Sequence, residues 1–453
     1  MNVSFFGELL QSISDRGRAL IDRARDRRVE LSARTDSLVD LCEELLSRRG
    51  EASGVALARD ILSRYAELKT GPRVAFFESL ATRFGADHQE VDRAIEAWRN
   101  DPTDSTATAV HLAAEPRRQE LFRRLNLAPG GTAALVRMRE HLLDVLERRE
   151  DLRAVDADFG HLFSSWFNRG FLVLRRIDWS TPANILEKLI RYEAVHRIRG
   201  FDDLRRRIDP RDRRCYAFFH PAMVDEPLIF VEVALTQGIA GAIGPILAAE
   251  RDIVEKPDTA VFYSISNCQR GLAGVSFGHF LIKQVVEDIC KETPAPSTFV
   301  TLSPVPGFAG WLARERKTEV SVVLTEDDKA VLANLDSEGW WEKPQVREPM
   351  REPLMRAAAW YFVNAKNSRG MPVDSVARFH LGNGARLEMM HWLADDSEHG
   401  IAQSCGLMVN YRYELSEIEK NHEAYAERRS IAASSAIKRL VRAAPRELVP
   451  AGK

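Results

Sequence analysis

The chain has 453 residues, 45% hydrophobic and 29% charged, the composition of a globular protein with room for roughly two to four domains. Its 64 Lys and Arg nearly cancel 66 Asp and Glu, so no global positive field exists to hold nucleic acid by phosphate neutralisation. No apolar run approaches the ~18 to 20 residues that a bilayer span needs, and the five cysteines form no CxxC pair and meet no His at metal-ligand spacing.

From Phe5 to about Arg169 apolar residues recur at helical spacing, as in Leu38, Leu41, Leu45 and Leu46, or Leu135, Met138, Leu142, Val145 and Leu146. This predicts a helical bundle. Gly50 and Gly54 are expected to separate two helices, Asp101-Pro102 to break another, and Pro129-Gly130-Gly131 to turn the chain before Thr132 caps the next. The Arg-rich opening contains Glu8, Asp15 and Asp22, unlike the acid-poor transit sequences of organellar proteins. Arg23–Arg28 and Arg205–Arg214 are interleaved with Asp26, Asp209 and Asp212 and read as solvated helix faces, with a local phosphate-binding role left open for a few of them. The bundle holds no reactive cluster, and its surplus apolar stripes suit subunit contacts, so a homo-oligomer is expected.

The periodicity changes within 151–170, giving a helical domain over 1–160 and a mixed α/β domain over 161–453, an α+β multidomain architecture. After Gly170 the runs Phe171–Leu174, Cys215–Phe219, Leu228–Leu235, Ala260–Ser266 and Phe299–Leu302 predict strands. Pro182–Val195, opened by Ser180-Thr181-Pro182, and Gly278–Cys290 predict helices, and the Ala- and Ser-rich Ile431–Ala436 reads as continuing one.

The strand Ala260–Ser266 runs into Asn267–Gly278, rich in glycine, before Phe280, Leu281, Val285 and Ile289 resume helical spacing. Backbone N–H groups of such a loop can approach a diphosphate, helped by the partial charge of about +0.5 at a helix N-terminus. The spacing is neither the Walker sequence nor GxGxxG, which weakens ATP and NAD readings; a plain structural turn is the bland alternative. The loop resembles the pyrophosphate loop of the N-acetyltransferase-like (GNAT) fold.

Farther on, two prolines in Thr301-Leu302-Ser303-Pro304-Val305-Pro306 fix Ser303 at a rigid strand exit, where it either reacts or caps a turn. Phe379-His380-Leu381-Gly382-Asn383-Gly384 places His380 beside an Asn-Gly turn, with His391 and His399 as competing acid–base candidates. Ser404–Tyr413 combines polar and aromatic donors in one short stretch.

Taken in order, FYSIS, QRGLAGVSFG, TLSPVPGF, FHLGNGA and SCGLMVNYRY, with FFHPAM and DEPLIFVEVALT upstream, resemble segments of malonyl-CoA decarboxylases over most of 155–415. The resemblance implies a helical N-terminal domain that supports assembly, commonly as a tetramer, and a GNAT-like catalytic domain. It implies that Ser303 is the active-site serine and His380 the proton donor, with Ser264 and Tyr413 near the same pocket; from the chemistry of the reaction, Tyr413 is expected to help hold the acyl group. It implies substrate contacts from Gly271, Ala273, Gly274, Val275, Ser276, Phe277, Gly278 and His279. One departure stands out: animal members carry Glu in GVELG where this chain has Ser276 in GVSFG, so an acidic partner for the histidine is not carried over.

Decarboxylation of malonyl-CoA leaves electrons that the substrate's own thioester accepts, so no organic cofactor and no metal is expected. An acyl-CoA-dependent N-acyltransferase and a CoA-ester-binding scaffold are the competing readings. The scattered cysteines and a tail, Val449–Lys453, without an SKL-type ending lead to the expectation of a cytoplasmic protein.

Overall fold

The computed structural model describes residues 38–47, 50–250, 252–275, 281–292 and 296–442. The expected helical stretch over 5–37, Arg23–Arg28 within it, and Ser276, Phe277, Gly278 and His279 lie outside the described residues. The chain divides into two compact units: residues up to Val173 with 219–228 and 269–277, and the remainder.

The first unit is helical: Leu38–Ser47 (α1), Glu51–Glu67 (α2), Thr70–Thr82 (α3), His88–Asn100 (α4), Asp104–Ala114 (α5), Arg117–Asn126 (α6), Gly131–Leu146 (α7) and Arg153–Trp166 (α8). The leucine stripes do what their spacing dictates: Leu41 and Leu45 of α1 and Leu135, Met138 and Leu142 of α7 are buried. Phe122 of α6 stacks on Phe159 of α8 with centroids 4.1 Å apart. After the break at Pro102, Thr103 caps α5 through a reciprocal bond with Thr106.

Two local expectations differ. Gly54 does not separate helices; it lies in the first turn of α2, its N–H bonded to the Gly50 carbonyl at 3.0 Å. Gly130, not Thr132, occupies the cap of α7, and the Thr132 hydroxyl donates instead to Asn126 Oδ1 at 2.7 Å.

The second unit is built on an eight-stranded sheet in the order β1-β2-β3-β4-β5-β8-β6, with β7 paired to β8. The strands are Val173–Ile177 (β1), Arg213–Phe219 (β2), Pro227–Thr236 (β3), Thr259–Asn267 (β4), Thr298–Thr301 (β5), Ser303–Pro304 (β6), Arg386–His391 (β7) and Met408–Arg412 (β8). The near-continuous apolar run of β3 is buried along almost its whole length, as a central strand covered on both faces must be. Val261, Tyr263, Val300, Leu302, Ile243 and Met408 share one core cluster.

Two features of this sheet shape a cavity. β3 and β4 are antiparallel, and their register shifts between Glu232 and Val233, so Tyr263 is an extra residue in β4. Such a bulge bends a strand and re-aims the side chains beyond it. β4 and β5 run parallel from Thr259 to Phe262, and the Leu302 N–H still reaches the Phe262 carbonyl at 2.9 Å. Beyond that bond the partner changes: Ser303 and Pro304 pair with β8. β4 and the chain leaving β5 therefore part company at Phe262.

The first predicted strand, Phe171–Leu174, begins two residues late, because Arg169–Phe171 form a 3₁₀ turn held by Asn168. The helix expected over Pro182–Val195 is Ala183–Tyr192 (α9), shortened at Glu193, and Ser180 and Thr181 bond Asp178 in a turn. The expected helical continuation at Ile431–Ala436 is not helical before Ser435; Ala433 bridges Leu387 of β7. The Arg205–Arg214 stretch is not a uniformly solvated face, since Arg207 and Arg213 are buried, Arg207 against Glu232 at 3.1 Å and Arg213 on the Ile246 carbonyl at 2.9 Å.

Candidate active site

Where β4 and β5 separate, a cavity of about 250 Å³ opens within the second unit. Phe262, Tyr263, Ile265 and Asn267 of β4 form one wall, and Ser303 and Pro304 of β6 another. Ser375, Val376, Phe379 and His380 come from the helix Ser375–Gly382 (α10), and Val195 from the turn after α9. The lining is largely apolar with a few convergent polar groups, the usual make-up of a small-molecule site.

His380 thus sits in the last turn of a helix that the Asn-Gly pair obscured in the sequence. Asp374 starts that helix: its Oδ1 accepts the Ala377 N–H at 2.6 Å. The turn that follows needs Gly384, whose φ is +80° and where a Cβ would lie 2.1 Å from the Ile418 carbonyl oxygen.

Ser303, His380 and Tyr413 form one hydrogen-bonded line. The Ser303 Oγ lies 3.1 Å from His380 Nε2 and donates to Thr301 Oγ1 at 2.9 Å, while the Tyr413 hydroxyl lies 2.8 Å from His380 Nδ1. Thr301 Oγ1 is itself fixed by the Tyr411 N–H at 3.1 Å, and the imidazole stacks on the Tyr411 ring with centroids 4.5 Å apart. Burial pushes the His380 pKa down to about 3, so the imidazole is neutral. A neutral ring has one donor and one acceptor; with Ser303 donating to Thr301, Nε2 carries the proton and Nδ1 accepts from Tyr413. Burial also raises the Tyr413 phenol well above its ordinary value, which keeps its proton in place.

Other candidates lie elsewhere. Tyr413 meets His380 from behind and does not line the cavity. The Ser264 hydroxyl is likewise not in the lining; it donates to the Glu193 carboxylate at 2.8 and 2.9 Å. His391 is bonded to Asn410, and His399 is not part of the cavity. Gly271, Ala273, Gly274 and Val275 belong to the first unit, where buried Arg139 donates to the Gly271 and Ala273 carbonyls at 2.9 Å each and pairs with Asp156 at 2.8 Å. A Cβ on Gly271 would fall 1.9 Å from the Val136 carbonyl oxygen, so only glycine lets this loop lie against α7. Among the described residues no group of three or more His, Cys, Asp and Glu side chains is arranged to hold a metal ion.

The malonyl-CoA decarboxylase C-terminal domain model matches residues 170–450, and the N-terminal domain model of the same family matches 84–167. The chain belongs to the malonyl-CoA decarboxylase family. The mitochondrial malonyl-CoA decarboxylase of Anser anser anser is 33% identical over 94% of this chain and 89% of its own length. The crystal structure of malonyl-CoA decarboxylase from Rhodopseudomonas palustris is similar with 57% identity and a TM-score of 0.87, covering 89% of this chain and 99% of that one. That from Agrobacterium vitis has 55% identity and a TM-score of 0.85 over the same shares. Membership in the malonyl-CoA decarboxylase family makes this chain an enzyme of the carboxy-lyase class.

Sequence motifs located Ser303 and His380 but missed Thr301, Asp374, Glu193 and Arg139. Asp374 carried a signal, an acidic residue directly before a helical segment; the other three act through partners distant in sequence or through strand geometry.

Proposed function

We propose that this chain converts malonyl-CoA to acetyl-CoA and CO2 at the cavity between β4 and β6, with His380 protonating the enolate. The observation that carries this reading is the Ser303–His380–Tyr413 line ending at that cavity. The malonyl carboxylate brings a negative charge beside an imidazole held neutral by burial, and that charge draws a proton onto His380. The C2–carboxylate bond then breaks with its electron pair entering the thioester carbonyl, CO2 leaves, and the imidazolium returns its proton to C2. One proton is consumed per turnover. Ser303 holds the departing carboxylate and steers Nε2, and Tyr413 fixes the ring from Nδ1. Its hydroxyl donates to neutral Nδ1 and, after rotation, accepts from the charged form. The substrate is its own electron sink, so this route uses no organic cofactor or metal.

The parallel β4–β5 pair that separates beside the cavity supports a GNAT-like catalytic fold, and the loop 269–279 is assigned to the CoA diphosphate. The helical unit is assigned to homo-oligomer contacts, commonly tetrameric in the resemblance, supported by α4 and α5, which bury no residue and leave Trp98 and Leu112 exposed. A cytoplasmic location is supported by Cys42, Cys215, Cys268, Cys290 and Cys405, none of which is joined in a disulfide.

The test is direct. Purified chain given malonyl-CoA and no amine acceptor should release CO2 and acetyl-CoA, and His380→Asn should lower kcat by about 100- to 10,000-fold with little change in CoA-ester binding. Near-normal kcat in His380→Asn overturns the assignment.

A further inference from the structure

Glu193 ends α9 and is buried, yet its direct hydrogen bonds bring it no cation. Its Oε1 accepts the Val195 N–H at 2.9 Å, the His196 N–H at 2.6 Å and the Ser264 hydroxyl at 2.9 Å. Its Oε2 lies 2.8 Å from the same Ser264 hydroxyl and accepts from Ser266 at 3.2 Å. The Ala194 N–H adds a bond of 3.3 Å to Ser266 Oγ. The buried Arg207 guanidinium turns to Glu232 at 3.1 Å. Burial, and next the charge of Glu193, push the Glu232 carboxyl up to about 8.

These bonds join two walls of the cavity. On one side they hold the turn that presents Val195, and on the other they hold Ser264 and Ser266, which alternate along β4 with the lining residues Ile265 and Asn267. Period-two alternation means that a carboxylate fastened to Ser264 and Ser266 grips the strand from the face opposite its lining side chains.

We propose that Glu193 is a positioning residue that sets the width of the acyl-thioester pocket, and that Ser264 serves Glu193 rather than the substrate. This rests on the function proposed above, since the pocket is the one assigned there to malonyl-CoA. Without the clamp, Val195 and β4 move independently and the thioester is held less closely, while the Ser303–His380–Tyr413 line, built on β6, α10 and the end of β8, keeps its geometry. Binding is lost before chemistry.

Steady-state kinetics with malonyl-CoA on the full chain, with thermal unfolding as the folding control, test this. Glu193→Ala should raise KM about tenfold and change kcat less than about threefold. Glu193→Gln should stay within about threefold of the parent in both, because its amide oxygen still accepts the two backbone N–H groups and its NH2 donates to serine hydroxyls that rotate to accept. The Ser264→Ala/Ser266→Ala double variant, which leaves the backbone turn bonded, should reproduce the KM increase and serves if Glu193→Ala does not fold. Unchanged KM in a folded Glu193→Ala or in the serine pair overturns the proposal, as does a large kcat loss with unchanged KM, which would make Ser264 or Glu193 part of the chemistry. A parent chain that does not turn over malonyl-CoA would refute the proposed function instead; there, a tenfold weaker dissociation constant for acetyl-CoA in Glu193→Ala still supports the clamp, and an unchanged one overturns it.

Discussion

The Tyr413 hydroxyl stands 2.8 Å from Nδ1 of His380, on the side of the ring opposite Ser303, and both residues are buried. The imidazole is thus tethered at both nitrogens, which fixes its tautomer and its direction together. Tyr413→Phe removes one tether and leaves Nδ1 buried without a partner, a cost of about 1 to 3 kcal/mol. We expect kcat to fall about 10- to 100-fold with KM nearly unchanged, measured by CO2 release from malonyl-CoA.

His380 also makes a prediction about acid. Its folded pKa of about 3 lies below the ordinary histidine value, so below pH 6.5 the unfolded chain binds a proton that the folded chain refuses. Stability from this residue is complete above about pH 6.5 and drains away as pH falls toward 3, with a slope of up to about 1.4 kcal/mol per pH unit. Denaturant unfolding at pH 7 and pH 5 should show a smaller acid loss in His380→Asn than in the parent.

Asp374 slopes the other way. Burial pushes its carboxyl up to about 6, so in the window from about 4 to 6 the folded chain holds the proton more tightly and stability falls as pH rises. Asp374→Asn keeps an acceptor for the Ala377 N–H and removes the buried charge; it should gain about 1 to 3 kcal/mol at pH 7 and nothing at pH 4. Asp374→Ala loses the cap, costs about 1 kcal/mol of helix stability, and should lower kcat because α10 carries His380. Parallel urea titrations of the two variants separate cap from charge.

Arg139 holds two carbonyls of the glycine loop with one nitrogen and Asp156 with another. Arg139→Lys keeps the charge but lacks the planar fork to serve all three acceptors. We expect a loss of about 2 to 3 kcal/mol in thermal unfolding and a raised KM for malonyl-CoA. Gly271→Ala should be worse, since its Cβ collides with backbone of α7 rather than with a movable side chain.

Local chemistry made part of this legible. The prolines around Ser303 mark the place where the chain leaves β5, although Pro304 still pairs with Met408 of β8 instead of ending all pairing, and the leucine stripes of α1 and α7 report burial by their period alone. His380 was found by its motif while its helix was not, since the Asn-Gly signal that ends α10 outweighed a segment of only eight residues. The stop at Glu193 carries no Gly or Pro; the helix ends because a side chain captures the next N–H groups, and that capture depends on serines 71 and 73 residues away. Arg139 finds its carbonyls 132 and 134 residues downstream. Pairings at that range leave no imprint on hydropathy or spacing near either partner.

That last separation bears on synthesis. The helices up to Trp166 leave the ribosome first, but the carbonyls that satisfy Arg139 follow roughly a hundred residues later. Until then a guanidinium destined for burial has only Asp156, and the groove on α7 that only a glycine can enter stands open. The helical unit is therefore first to emerge yet finishes folding only after β1 to β4 have been made, and a fragment cut at the border near residue 170 would carry an unfilled seat on α7.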